Sequence, residues 1–408
     1  MEVITQNTWK FASWGNESIQ ALRNNAIDLF NAKGLPEVKV ELYKYSNIQR
    51  LFDTYAYNQT EAVANTPQIS ELPFASAGRI VIKNGILDSA SSIDGVIVAN
   101  GANASDWEVA FTNHENDSVK ALLFATAEEG VLIDVAKNTS IALPVEIVIV
   151  NDGAKGSFLS QQHLIKVGAN SKVSFIIRHV NSNPNPNFNI ISFQSIVAEN
   201  AHVALYDEQL NSDKDSAVFY YSAKQEKDSH WGVSQTTLHG RFSRTNVYVD
   251  QAGEAAHTEL NGVFMPNQDQ HFDIHSFIGH NKPYGTSDEI YKGIAGANGK
   301  GFFNGKVYVA RDAQKINAYQ SNKNVLLSRE ASINSKPELE IYADDVKCSH
   351  GSTIGQLDDT ALFYMQARGI RKSEASKLLL EAFASDVFEK IENEDLRSYF
   401  KEKVYSIL

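Results

Sequence analysis

From about residue 75 to about residue 350 the chain runs in short apolar segments at period two, with no long amphipathic helix among them. That restricts most of its length to β architecture, and the corners narrow the choice further. Gly168-Ala169-Asn170-Ser171 precedes Val173 and Phe175; Ala198-Glu199-Asn200-Ala201 precedes Val203 and Leu205. Gly253-Glu254-Ala255-Ala256 leads toward Leu260, and Glu330-Ala331-Ser332 leads to Ile333 and on to Leu339 and Ile341. Small or polar corners followed by alternating apolar residues suit stacked β-coils that bury their inner faces against one another. The corners are alike but not equally spaced, and a β-sandwich with Gly/Asn turns satisfies the same pattern.

Helical patterns flank this region on both sides. Ile19, Leu22, Ile27, Leu29 and Phe30 predict a helix over about 18–32, stopped by Gly34 and Pro36, and a shorter pattern follows at Ile48, Leu51 and Phe52. Pro67 and Pro73 then break any helix. After His350 the spacing predicts one helix from Gly355 to Arg368, closed by Gly369, and a second capped by Ser373. That second helix carries Leu378, Leu379, Ala382, Phe383, Val387, Phe388 and Ile391, and a last helix over about 394–405 carries Leu396, Tyr399, Phe400 and Val404. The boundaries expected are 1–74 helical, 75–352 β and 353–408 helical. Self-packing against the end of the β region accounts for most of the C-terminal stripe, which is nonetheless wider than one such contact needs.

Chemistry concentrates at Cys348-Ser349-His350, where the single cysteine stands two residues from a histidine. On a strand both side chains project to one face, pairing a thiol with an imidazole. Two such groups are half of a usual four-ligand site, so the pair is structural, or other ligands in the chain complete it, or a partner does. One cysteine forms no internal disulfide, which fits a reducing compartment. With 408 residues, 43% of them hydrophobic, the chain can bury a sizeable core. It has no run of roughly 18 apolar residues, and Met1–Asn7 lacks the basic and apolar regions of a signal peptide, so a cytoplasmic location and no membrane are expected. A net charge of -12 argues against nucleic acid as a partner.

Other residues offer competing sites. His271, Asp273 and His275 alternate, so on a strand they share a face and could hold a divalent metal with His280 nearby; the plainer reading is a polar outer face, with Phe272, Ile274 and Phe277 inside. Arg311-Asp312 and Asp344-Asp345 suggest acid/base pairs of a polysaccharide-cleaving β-helix, or simply solvated turns. The glycine-rich stretch Gly293–Gly301 lacks the strand-to-helix context of a phosphate loop.

The longest motif is Lys336-Pro337-Glu338-Leu339-Glu340-Ile341-Tyr342-Ala343-Asp344-Asp345-Val346-Lys347-Cys348-Ser349-His350-Gly351, followed by Gly355-Gln356-Leu357-Asp358, Ala361-Leu362-Phe363-Tyr364 and Arg368-Gly369-Ile370. With Phe303-Asn304-Gly305-Lys306-Val307, Asp312-Ala313-Gln314-Lys315 and Gln320-Ser321-Asn322-Lys323-Asn324-Val325-Leu326-Leu327, it resembles the SufB/SufD family of iron–sulfur cluster assembly scaffold proteins. Gly34-Leu35-Pro36, Glu41 and Tyr43-Lys44-Tyr45 resemble the opening of the SufD branch, although Tyr43 stands where Trp is commoner. The resemblance implies a right-handed parallel β-helix core flanked by N- and C-terminal helical regions. It also implies a scaffold subunit, not an enzyme, of the SUF system. The SufB branch carries a cysteine soon after the glutamine of the Tyr319-Gln320 motif, and Ser321 here cannot receive sulfur. The chain would then pair with a SufB-like homologue, a homodimer being the assembly open to the isolated chain. A SufC-like ABC ATPase would dock on about 355–405, with Leu379, Phe383 and Phe388 as contacts. His350, with Cys348 close by, would help to hold a nascent iron–sulfur cluster, transient and shared with the partner and not stably bound by the chain alone. The rivals are a polysaccharide-acting β-helix enzyme and a metalloenzyme built on His271, Asp273 and His275.

Overall fold

The computed structural model describes residues 14–52, 68–101, 107, 117–153, 158–183, 185–209 and 212–408; Met1–Asn7 and Pro67 lie outside them. The β region forms two facing sheets that the chain visits alternately. The first sheet holds β1 (Gly78–Lys83) and β2 (Ile86–Ala90), then β5 (Val145–Asn151), β7 (Lys172–Asn181), β9 (His202–Gln209), β11 (His230–Thr237), β13 (His257–Phe264), β15 (Thr286–Ala295), β17 (Ile316–Leu326) and β19 (Val346–Gly355). The second holds β3 (Val96–Asn100), β4 (Gly130–Val135), β6 (Phe158–Val167), β8 (Phe188–Val197), β10 (Ser216–Gln225), β12 (Phe242–Gln251), β14 (His271–His280), β16 (Lys300–Val309) and β18 (Ser332–Ile341). Pairing is parallel except for β1 with β2 and β3 with β4. From residue 130 to 355 the result is a β-solenoid of about seven turns.

The look-alike corners have a backbone cause. Asn138, Asn170, Asn200, Asp228, Ala255, Tyr284 and Lys315 all adopt φ between 55° and 65°, the left-handed conformation that Asn and Asp tolerate best. Each of their N–H groups donates to the next coil, as Asn170 N to Glu199 O and Asn200 N to Lys227 O, so the corners themselves form a ladder. Side chains reinforce it, Asn200 Nδ2 donating to Asn170 Oδ1 at 2.9 Å and Asn170 Nδ2 to Asn138 Oδ1 at 3.2 Å.

The core between the sheets is aliphatic and aromatic, running from Ile80 and Ile147 through Phe175, Phe219 and Leu260 to Phe303 and Ile333. Helices cover the outer faces. On the second sheet, α1 (Glu17–Lys33), α2 (Ile48–Leu51) and α3 (Ser118–Thr126) pack Phe30, Phe52 and Leu122 against Phe188, Ile190 and Val218. Asn16 caps α1 and Gly34, with φ 65°, ends it.

The C-terminal helices pack on the flank of the solenoid, not on its end. Val387, Phe388, Phe400 and Val404 meet Ile176, Tyr206, Val263 and Ile294 on the outer face of the first sheet. A helical stripe shows which face is buried but not against what, and mid-solenoid residues supply the matching apolar surface. The boundaries differ as well. Strand β19 continues to Gly355, and α4 (Asp359–Gln366) starts at an Asp358 cap. Gly369, with φ 86°, turns the chain directly into α5 (Lys372–Phe388), so Ser373 lies inside that helix and Arg371 precedes it without a side-chain cap. Helix α6 spans Glu394–Ile407 and buries Leu396, Tyr399, Phe400 and Val404.

Candidate functional site

Cys348 and His350 fall two apart on β19, the last strand of the first sheet, which among the described residues pairs with β17 on one side only. Register sets Ala318 beside Cys348 and Gln320 beside His350, so both side chains lie on the row that elsewhere faces the interior. No further described coil covers this row, and His350 is exposed. Cys348 is a free, half-buried thiol beside Val309, Ala318 and Ala343. Burial pushes its pKa up from 9.0, only partly offset by a hydrogen bond from the Ala318 backbone, so the thiol is protonated at neutral pH.

The same inward row continues one coil back with Gln320, read in the sequence only as part of the family motif, and two coils back with Glu289, which sequence reasoning passed over. Glu289 pairs with Gln320, and Gln320 with His350. Gln320 Nε2 donates to Glu289 Oε2 at 2.7 Å, and burial raises the Glu289 pKa to about 7 against the opposing hydrogen bonds of Gln320 and Ser276. A polar column thus leads from inside the solenoid to the exposed imidazole. The signal was the spacing 289, 320, 350, one coil apart each time. Ser321 is buried beside Gly351.

Of the three C-terminal residues singled out, Phe388 is 1% exposed and lies in the contact with the solenoid, so it does not face solvent. Leu379 is half-buried; Phe383 is half-buried under the Lys292 ammonium, 4.6 Å from its ring centre. The exposed apolar surface of these helices is instead Phe363, at 72%, with Tyr364, Leu378 and Ile407.

His271, Asp273 and His275 do share the outer face of β14, but that face is covered. Asp273 is buried between Arg244 Nη1, at 2.5 Å, and His275 Nε2, at 2.9 Å, and accepts from Ser46 Oγ. Burial raises its pKa, and His275 and Arg244 more than reverse this, leaving the carboxyl below its usual range. Arg244 also donates to the Leu42 carbonyl and lies over the Tyr43 ring. His271 stacks between Phe242 and Phe302. The row is therefore a clamp for residues 42–46, not an open metal site. His280 faces the interior and pairs with Ser287 Oγ, so it cannot join them. Phe277 lies on the outer face against Tyr308, and Ser276 and Ile278 take the inner positions. Asp345 pairs with Lys315 at a corner, and Gly293–Gly301 links strand to strand.

A family model described as the SufBD core domain of SUF system FeS cluster assembly matches residues 148–383, more than half of the chain. The chain belongs to the SufB/SufD family. A second model, the N-terminal region of SufBD proteins, matches residues 1–70. Relatives include an iron–sulfur cluster assembly SufBD family protein of Synechocystis, 28% identical over 392 residues and covering 90% of this chain and 86% of that protein. SufD of Escherichia coli is 26% identical over 375 residues, covering 89% and 87%, and SufD of Bacillus subtilis 27% over 294 residues, covering 69% and 65%. Membership joins the solenoid to iron–sulfur cluster assembly through the SUF system. No helix among the described residues is long and apolar enough to cross a membrane.

Proposed function

We propose that this chain is the SufD-type scaffold subunit of a cytoplasmic SUF complex, without catalytic activity of its own. It pairs with a SufB-like subunit through the open end of the solenoid and carries a SufC-like ATPase on its C-terminal helices. The observation that carries this reading is β19: an exposed edge strand, ten residues long, that holds the Cys348–His350 pair and has a free pairing side among the described residues. Long uncovered edges invite strand addition, and natural proteins retain them where a partner pairs. Ile354, Tyr342 and Ile341 add exposed apolar surface around that edge.

Such a junction would set His350 and Cys348 against ligands from the partner, which supplies what two groups cannot. The cluster is cargo: a neutral imidazole is a moderate, exchangeable iron ligand, and a scaffold has to release what it builds. The buried Ser321 hydroxyl accepts no persulfide, so sulfur arrives on the other subunit. Co-expression with a SufB-like chain tests the pairing. Ile354→Asp places a charge on the edge without disturbing the core, and it should abolish co-purification while the variant's melting temperature holds; unchanged co-purification would refute pairing through this end.

A further inference from the structure

We propose that His257, Glu259 and Asp288 form a site for one divalent first-row metal ion on the outer face of the first sheet, separate from the Cys348–His350 pair and independent of the role proposed above. His257 and Glu259 are two apart on β13 and so share a face, and the register places Asp288 of β15 directly beside Glu259. One ligand atom from each residue lies within 4.8 Å of the other two. An ion seated among them needs only small side-chain adjustments.

The histidine is already oriented as a ligand. Its Nδ1 lies 2.6 Å from Thr286 Oγ1, whose residue is its register partner, and Nε2 is 3.5 Å from Glu259 Oε1. Holding one ring nitrogen with a fixed neighbour and presenting the other is how proteins set imidazole ligands, and the outer partner fixes the tautomer. On the far side the His230 ring packs against His257 at a tilt of 47°, with centres 4.7 Å apart, and His202 stacks on His230 at 4.4 Å. The ring is thereby held from two directions.

Access is open. All three residues are half-buried, and His257 and Glu259 line a groove of about 410 Å³ between the sheet, which also contributes Lys172 and His202, and the residues that join α5 to α6, among them Glu392. Gly232, the β11 partner of Glu259, leaves that carboxylate uncovered on the side away from Asp288. One imidazole and two carboxylates are a borderline-to-hard donor set suited to Fe²⁺, Mn²⁺, Co²⁺ or Zn²⁺, with water filling the remaining positions.

The test uses the full-length chain carrying Cys348→Ser and His350→Ala, so that the other pair cannot contribute, with Zn²⁺ and, anaerobically, Fe²⁺ titrated by calorimetry. One ion per chain is expected, with a melting temperature that rises with metal concentration. His257→Ala and Asp288→Asn should each weaken binding by roughly tenfold or more, and Thr286→Val by about tenfold through loss of ring orientation, with the metal-free melting temperature unchanged. If His257→Ala is unstable, His257→Gln serves in its place. Binding undiminished by these substitutions would overturn the site, as would Ca²⁺ binding as tightly as Zn²⁺, which would assign any affinity to the carboxylates alone. Absence of saturable binding would overturn it too.

Discussion

At the scale of single residues, His350 and Cys348 are adjacent on one row yet differ in what they can do. The imidazole is exposed, whereas the thiol is half-buried with a raised pKa and is protonated when an iron ligand would have to be a thiolate. His350→Ala should therefore lower cluster assembly by the whole complex more than Cys348→Ala, with complementation of cluster-dependent growth as the readout. His350→Ala should leave the melting temperature unchanged, and Cys348→Ala should cost about 1 kcal/mol or less through its contact with Ala318 and Ala343. Glu289 makes a prediction about pH. In the unfolded chain its carboxyl ionises near 4.5, and in the folded protein near 7. Between those values the folded state holds the extra proton, so this group's contribution to stability is fully present below about pH 4.5 and is lost as pH rises toward 7. The loss is about 3 kcal/mol at most. Glu289→Gln should flatten that decline in urea unfolding series run across the window; an unchanged slope would remove Glu289 as its source.

At the scale of elements, the strand carrying the Cys348–His350 pair was legible because a Cys-x-His pair has only one arrangement on an extended chain. What sequence spacing could not show was where β19 stops or what lies beside it, since the pattern ended the β region at 352 and began a helix at Gly355, while the backbone continues in register to Gly355. The second sheet's outer face illustrates the same limit. Alternation placed His271, Asp273 and His275 together, but their partners Arg244 and Ser46 come from 29 and 227 residues away, beyond any local pattern. Because Arg244 and Asp273 are both buried, Asp273→Ala leaves an uncompensated guanidinium and should destabilise the protein by about 3–5 kcal/mol, read as a fall in the unfolding midpoint. A metal-site role predicts little change in stability instead. On the C-terminal side, Phe363→Asp and Leu378→Asp alter exposed positions only. Pull-down should show loss of the SufC-like ATPase with the fold intact by circular dichroism; retained binding would place the docking surface elsewhere.

At the scale of the whole molecule, the solenoid is covered on both flanks and, among the described residues, open at the β18–β19 end. N-terminal helices seal one outer face and C-terminal helices the other, so growth of the sheets can continue only along the axis. The periodicity of the β region and its look-alike corners made the coil architecture readable, and the family motifs removed the sandwich alternative. The folding back of α5 and α6 was not readable, because the apolar surface they cover is spread over strands β7, β9, β13 and β15, one residue here and another there. The proposed function assigns cluster building to a junction, not to this chain alone. The most direct measurement is acid-labile sulfide per chain after anaerobic reconstitution, made on the isolated subunit and on its complex with the SufB-like and SufC-like partners. Sulfide-bearing cluster in the complex and none in the monomer is the predicted result, whatever iron the monomer binds at other sites. A fully occupied cluster inside the monomer, with bridging of two copies excluded by mass, would contradict it.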